Sequence, residues 1–300
     1  MAKKDTNHKE EYVILLDLLA KANNSVEESS ISDDSERERL FDAHNLANKF
    51  IGHALTILHL LNDTHVLVLP SFPPIRIISV VSASIVVLTR TTMEAFLTFH
   101  YVFFAPRTKE EKDYRYLCHK AAGIVERQNL PEGTHEQEQQ RADEKKALEQ
   151  FCDKLESNVV FQNLTEKQKA SFFAGKEPNM WRWNPNTKKF LSWEDIGIDA
   201  GLSKMIATHM YRYIAGYAHS GSLSVLQTTQ ILINKEPQIL IPLSINTMNI
   251  IIANMIHEYC GLFPKAQDIL TKDLGGNNLV EQYIQIGYGL DKYMGTQVGQ

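Results

Sequence analysis

Apolar residues recur at intervals of three and four along nearly the whole chain, the spacing of one face of an α-helix. Tyr12, Leu15, Leu16 and Leu19 form such a stripe and predict a first helix over about residues 8–23. The polar run NNSVEESSISDD reads as a loop. Ser35 and Glu38 then have capping-box spacing, in which two side chains satisfy orphan backbone N–H groups. They open a second helix to about Leu61, with Leu46, Phe50, His53, Ile57 and Leu60 along one face. The prolines of DTHVLVLPSFPP keep residues 63–74 out of helix. A third helix, about 75–104, is apolar nearly all round and belongs at the centre of the fold. Pro106 ends it.

Thr108 and Glu111 cap a helix to about Asn129, and Leu130, Pro131 and Gly133 break the chain. Thr134 and Gln137 cap the next, about 134–157. Its first half, HEQEQQRADEKK, is almost without apolar residues, and only Leu148, Phe151, Cys152 and Leu155 offer a docking stripe. This helix is expected to project as an arm or lie on the surface. Thr165 and Gln168 cap a short helix ending near Gly175. KEPNMWRWNPNTKKF is too rich in Pro and Asn for helix. Ser192 and Asp195 open another short helix, which Gly201 interrupts. A longer helix carries HMYRYIAGYAHSGSLSVLQ, residues 209–227. Residues 240–262 and 278–294 supply the last two, with Pro264 and Gly275-Gly276 as punctuation. No pair of strands with hairpin chemistry is evident. The pattern predicts one all-α bundle over residues 1–300, its core about 1–129 and 200–300, with an inserted helical arm and irregular loop at about 130–200.

Composition narrows the function classes. The chain is 43% hydrophobic and 22% charged, that of an ordinary globule with ample material for a core. Its net charge of -5 excludes coating nucleic acid by bulk electrostatics and leaves room for a local basic patch. Cys118, Cys152 and Cys260 are scattered, which fits a reduced cytosolic chain and no disulfide framework or zinc module. The N-terminal run VILLDLLA is short and broken by Asp17, so no signal peptide is expected. Ile77–Thr89 is too short to span lipid, and Ile239–Ile256 contains Pro242, Asn246, Asn249 and Asn254. Both read as buried helices, and no membrane is expected as a partner. H-E-x-x-H, a phosphate-binding glycine loop and G-x-S-x-G are all missing, so no metal or cofactor is expected.

Three groups of residues carry candidate chemistry. Arg90 and Glu94 lie one turn apart on the apolar third helix, where charges are costly unless partnered. They form either a structural ion pair that fixes helix register or an anion clamp, with Thr91, Thr92, His100 and Tyr101 as polar neighbours. In the stretch from His209, the residues His209, Arg212, Gly216 and His219 share one helical face. His219 precedes Ser220-Gly221-Ser222, where the helix can kink, and an imidazole there can serve as acid or base near neutral pH. Its alternative is a satisfied histidine among tyrosines such as Tyr213. Between Thr165 and Phe190, Lys167, Lys169, Lys176, Arg182, Lys188 and Lys189 interleave with Phe172, Phe173, Trp181, Trp183 and Phe190. Cations beside stacking aromatics grip single-stranded nucleic acid. Alternatively the tryptophans anchor a loop that the lysines solvate.

The segment Arg212 to His219 has the form R-x(4–6)-H and resembles the signature of the HEPN group of bacterial helical proteins. That resemblance implies a helical bundle, often a homodimer, in which metal-independent ribonucleases set Arg and His across a shared cleft. RTTMEAFLTFHYVFF, EEKDYRYLCHKAAGIVERQ, VVFQNLTEKQKASFFAG and YAHSGSLSVLQ, in that order, also look like an uncharacterised bacterial helical family with HEPN-like features. This second resemblance spans about residues 75–230 and implies that Arg90, Glu94, Tyr213, His219 and Ser220 are the positions to watch. It makes Arg90 a better working arginine than Arg212. The HEPN resemblance, with the cytosolic setting read from the cysteines, leads to the expectation of a cytosolic bacterial protein binding or cleaving RNA or nucleotides, in stress or phage defence, while the second family has no agreed activity. The competing expectation is a non-catalytic interaction or sensor module, in which Arg90, Glu94 and His219 form a buried structural network.

Overall fold

The computed structural model describes residues 2–26, 34–62, 74–131, 133–173, 181–184, 187–219, 221–234 and 240–295. It is an all-α protein, with one two-stranded ribbon among the described residues. The chain divides into two compact units, residues 1–100 with 193–300, and residues 101–192.

The larger unit contains α1 (Ala2–Asn24), α2 (Asp34–Asn62), α3 (Pro74–Phe99), α8 (Trp193–Asp199), α9 (Tyr211–Ala218), α10 (Ser222–Asn234), α11 (Leu240–Leu262), α12 (Pro264–Lys272) and α13 (Leu274–Gly295). Helix α11 is its axis and packs on α1, α3, α12 and α13. It is long and apolar enough to cross a membrane, yet 72% of its most apolar window is buried in the protein, as in a core helix. Several of its polar side chains donate hydrogen bonds, although the Asn246 and Asn249 side-chain oxygens are buried with no partner among the described residues. Thr247 donates to the Leu243 carbonyl at 2.9 Å, Asn254 to that of Ile250 at 2.8 Å, and Asn249 to the Tyr283 hydroxyl at 2.9 Å. The predicted stripe of α1 is buried to a residue, with Tyr12, Leu15, Leu16 and Leu19 each at most 2% exposed. Such burial contributes roughly 1.5–3 kcal/mol per large side chain. Helix α3 packs on α2, α8, α9, α10 and α11, which fits its all-round apolar surface.

Several predicted boundaries move. Helix α2 begins at Asp34, one residue before the expected cap at Ser35. Pro264 does not punctuate but opens α12, because the first helical position needs no N–H donor. Gly275 and Gly276 lie inside the first turn of α13, where Asp273 accepts from the Gly276 N–H at 2.9 Å. Gly201 does interrupt the chain. With φ of +79° it ends α8, and the Leu202 N–H returns to the Gly197 carbonyl at 2.9 Å. The proline-rich residues 63–73, together with 174–180 of the irregular loop, fall outside the described residues.

The smaller unit contains α4 (Lys109–Gln128), α5 (His135–Glu156), α6 (Val159–Gln162) and α7 (Glu166–Phe173). It begins earlier than the sequence pattern implies, because α4 packs with α5 and α6. Thr108 and Thr134 cap α4 and α5 as predicted. Helix α5 is mostly exposed and lies against α4. Phe151 and Leu155 are its buried residues, and Glu144 meets Arg127 at 3.2 Å. The unexpected element is the ribbon β1 (Trp183–Asn184) and β2 (Lys189–Phe190), which pair antiparallel. No Asn-Gly announces it. Instead the Asn184 side chain accepts from the Thr187 N–H at 3.2 Å, and Lys188 takes a left-handed φ of +53° to close the turn.

Candidate functional site

The helix expected after Gly201 is three pieces. A π-helical turn spans Met205–Met210, α9 follows and ends at Ala218, and α10 starts anew at Ser222. His219 is the last residue of α9's cap, with φ of −99° and ψ of 12°. The Gly221 N–H returns to the Gly216 carbonyl at 2.8 Å. A Cβ at Gly221 would sit 3.2 Å from that carbonyl oxygen, so the break is built for glycine. Gly216 has open space where its side chain would be.

This break brings His219 to α3. The Arg90 Nη1 lies 2.8 Å from the His219 Nε2. An arginine only donates, so Nε2 accepts, and the ring proton in this contact is on Nδ1. Arg90 Nε donates to Glu94 Oε1 at 2.9 Å, and the Tyr211 hydroxyl donates to the same oxygen at 2.8 Å. The guanidinium carbon also lies 5.7 Å from the centre of the Tyr211 ring. Three side chains from two helices, α3 and the capped α9, therefore fix the plane of one guanidinium. The cluster is half open: the Arg90 side chain is 17% exposed, that of Glu94 28%, and His219 is exposed. Burial would lower the Arg90 pKa, but Glu94 and Tyr211 hold it above its ordinary value. Burial and the bond to Glu94 push the Tyr211 hydroxyl up to about 12.

Other expected site residues go elsewhere. Arg212 is bound to Glu194 by two bonds, at 2.5 and 2.9 Å, with its side chain 67% exposed. It shares a face with His219, but seven residues put about 10 Å of helix between them. Tyr213 packs on Tyr217, ring centres 5.7 Å apart, and takes no part in the Arg90 cluster. Tyr211, two residues earlier, is the tyrosine that joins the Arg90 cluster. The helical wheel holds that signal: Tyr211 lies about 80° from His219, Tyr213 about 120°. Ser220 is outside the described residues. Thr91 and Thr92 donate to the carbonyls of Val87 and Leu88 on their own helix.

His100 also leaves the Arg90 neighbourhood and forms a second cluster that sequence spacing did not reveal. Its Nδ1 lies 2.7 Å from Glu258 Oε1 and its Nε2 3.3 Å from Asp199 Oδ2. His100 is 6% and Glu258 3% exposed, and the second Glu258 oxygen is buried with no partner among the described residues. Burial would lower the His100 pKa, but its bonds to two carboxylates hold it up at about 9. Burial pushes Glu258 up, against the pull of His100. With a carboxylate on each nitrogen, the ring serves as a doubly protonated donor.

In the basic aromatic stretch, Trp181 and Trp183 are buried, which matches the anchoring alternative. Trp183 meets Phe190 edge to face at 5.0 Å, and its carbonyl accepts from the Tyr101 hydroxyl at 3.0 Å. Lys188 and Lys189 are exposed. Among the described residues, no three His, Cys, Asp or Glu side chains group as metal ligands. No family model, no curated protein and no solved structure matches the chain.

Proposed function

We propose that the chain is an HEPN-like helical protein that binds RNA or nucleotides at Arg90 and His219 and cleaves the phosphodiester without a metal. One observation carries this reading: an exposed imidazole and a fixed guanidinium meet at 2.8 Å beside a helix break. Glu94 and Tyr211 hold the guanidinium from one side, leaving its other donors for phosphate oxygens. As a phosphate engages Arg90, the His219 Nε2 is released as a base for the 2′-hydroxyl proton. The 2′-oxygen then bonds to phosphorus as the P–O5′ bond breaks, the departing 5′-oxygen takes a proton from water, and Arg90 neutralises the developing charge. The cytosolic setting rests on the three scattered free cysteines. The bacterial source, the homodimer and the role in stress or phage defence rest on the resemblance alone.

The test is expression of the wild type, His219→Ala and Arg212→Ala in a bacterial host, followed by growth and total RNA integrity. Wild type and Arg212→Ala are expected to degrade RNA, and His219→Ala to spare it. Equal RNA profiles from folded, soluble wild type and His219→Ala sink the ribonuclease reading. A second reading, a non-catalytic interaction or sensor module, is favoured by the shared Glu94 oxygen, since a network that satisfies itself needs no ligand.

A further inference from the structure

The smaller unit holds a cavity of about 700 Å3, within the size range of small-molecule sites. Its wall includes Arg107, Thr108, Glu111, Leu164, Trp183 and Lys188. Two cations and one carboxylate face it. The carboxylate is already engaged: Glu111 accepts from the Arg107 backbone N–H at 3.1 Å and lies 3.7 Å from the Arg115 guanidinium. The Arg107 and Lys188 side chains form no ion pair among the described residues, and both are exposed. The chain therefore brings two uncompensated positive charges to one cleft in a protein of net charge -5.

The rest of the wall has the character of a ligand site. Val160, Leu164 and the largely buried Trp183 give an apolar side, while Asn163 and Gln168 bring amides to the wall. Such a wall, with one apolar side and polar groups around it, suits an organic ligand better than a bare ion. Lys188 owes its place to the left-handed turn between the two strands, so its position is set by backbone that few side chains adopt.

We propose that this cleft binds a nucleoside monophosphate, with its phosphate between Arg107 and Lys188 and its base along Trp183, Val160 and Leu164. The shared chemistry is a phosphomonoester on a flat body, which a free nucleotide and the phosphorylated end of an RNA both present. The proposal stands apart from the ribonuclease reading, since it uses none of Arg90, Glu94, Tyr211 and His219.

The experiment titrates the full chain with AMP, inorganic phosphate, and one RNA oligomer with and without a 5′-phosphate, by calorimetry at low and moderate salt. AMP is expected to bind more tightly than inorganic phosphate. Arg107→Gln and Lys188→Asn are each expected to weaken it about tenfold, the size of one charge-assisted bond. Asparagine tolerates the left-handed turn, and circular dichroism checks the fold of each variant. Lys189→Gln, which neutralises the neighbouring lysine outside the cleft, should bind as wild type. Oligomer binding that needs the 5′-phosphate identifies an RNA end as a source, and binding of AMP alone identifies the free nucleotide. Failure of AMP and of the 5′-phosphorylated oligomer to bind overturns the proposal. So does an equal loss in Lys188→Asn and Lys189→Gln, which marks a diffuse basic patch. Should a variant misfold, protection of Lys188 from amine acetylation by AMP in the wild type decides, and unchanged labelling counts against the site.

Discussion

Two imidazoles in the larger unit meet charged partners in opposite ways. His219 is exposed and touches a cation, while His100 is buried and lies between two carboxylates. The difference follows from where each sits on its helix. His219 caps a helix that breaks, so its ring swings out over α3 and keeps one face in water. His100 opens the π-helical turn His100–Phe104 that continues the apolar α3, and its ring is buried and must carry its own counter-charges. An open cation–imidazole pair is free to change partners, as a binding site must. A sealed imidazole between carboxylates is held by the cost of exposing or unpairing it.

The largest test of this contrast is Glu258→Ala. It removes the buried carboxylate from the buried imidazolium and leaves the half-exposed Asp199 on its other nitrogen, and breaking a buried pair costs about 3–5 kcal/mol. Chemical denaturation of the folded variant measures it. A loss below about 1 kcal/mol, the scale of an exposed ion pair, would erase the distinction between the clusters.

The pH dependence is the next largest effect. The folded pKa of His100 is raised from 6.5 to about 9. A raised pKa means the folded state holds its proton more tightly, so the stabilisation is full below about pH 6.5 and is lost as pH rises through about 9. The shift corresponds to at most about 3 kcal/mol. Glu258, also raised, loses stability in the same direction as pH rises. Urea unfolding at pH 6 and pH 9.5 should show the decline in wild type and a smaller one in His100→Gln. Parallel curves for the two proteins would remove His100 as its source.

These two clusters also mark what was legible in the sequence. Arg90 and Glu94 were readable because they stand one turn apart on an apolar helix, and the pairing needs no knowledge of the fold. His219 was readable as a histidine before a glycine break. Whether the two meet was not readable from spacing, and only the fold brings them to a 2.8 Å contact. Arg212 misled because a helical wheel discards the distance along the axis. His100, Asp199 and Glu258 were not readable as a group, since they lie on three elements, Asp199 99 residues and Glu258 158 residues after His100. The helical character was plain from spacing throughout, whereas the ribbon at Trp183–Phe190 was hidden by a turn built from an asparagine side chain.

The smallest expected effect sharpens the open cluster. Tyr211→Phe removes one donor from Glu94 and leaves the Arg90–Glu94 pair in place. The bond ends on a charged oxygen, but the carboxylate is partly in water and can recruit a solvent donor, so the loss is about 1 kcal/mol. If the cluster works on phosphate, loosening Glu94 also loosens the guanidinium plane, and RNA degradation should fall while the fold persists. If the cluster is purely structural, Tyr211→Phe and Arg90→Ala should lower the melting temperature and change nothing else. The two variants thus separate a site whose order serves a ligand from one whose order serves only the fold.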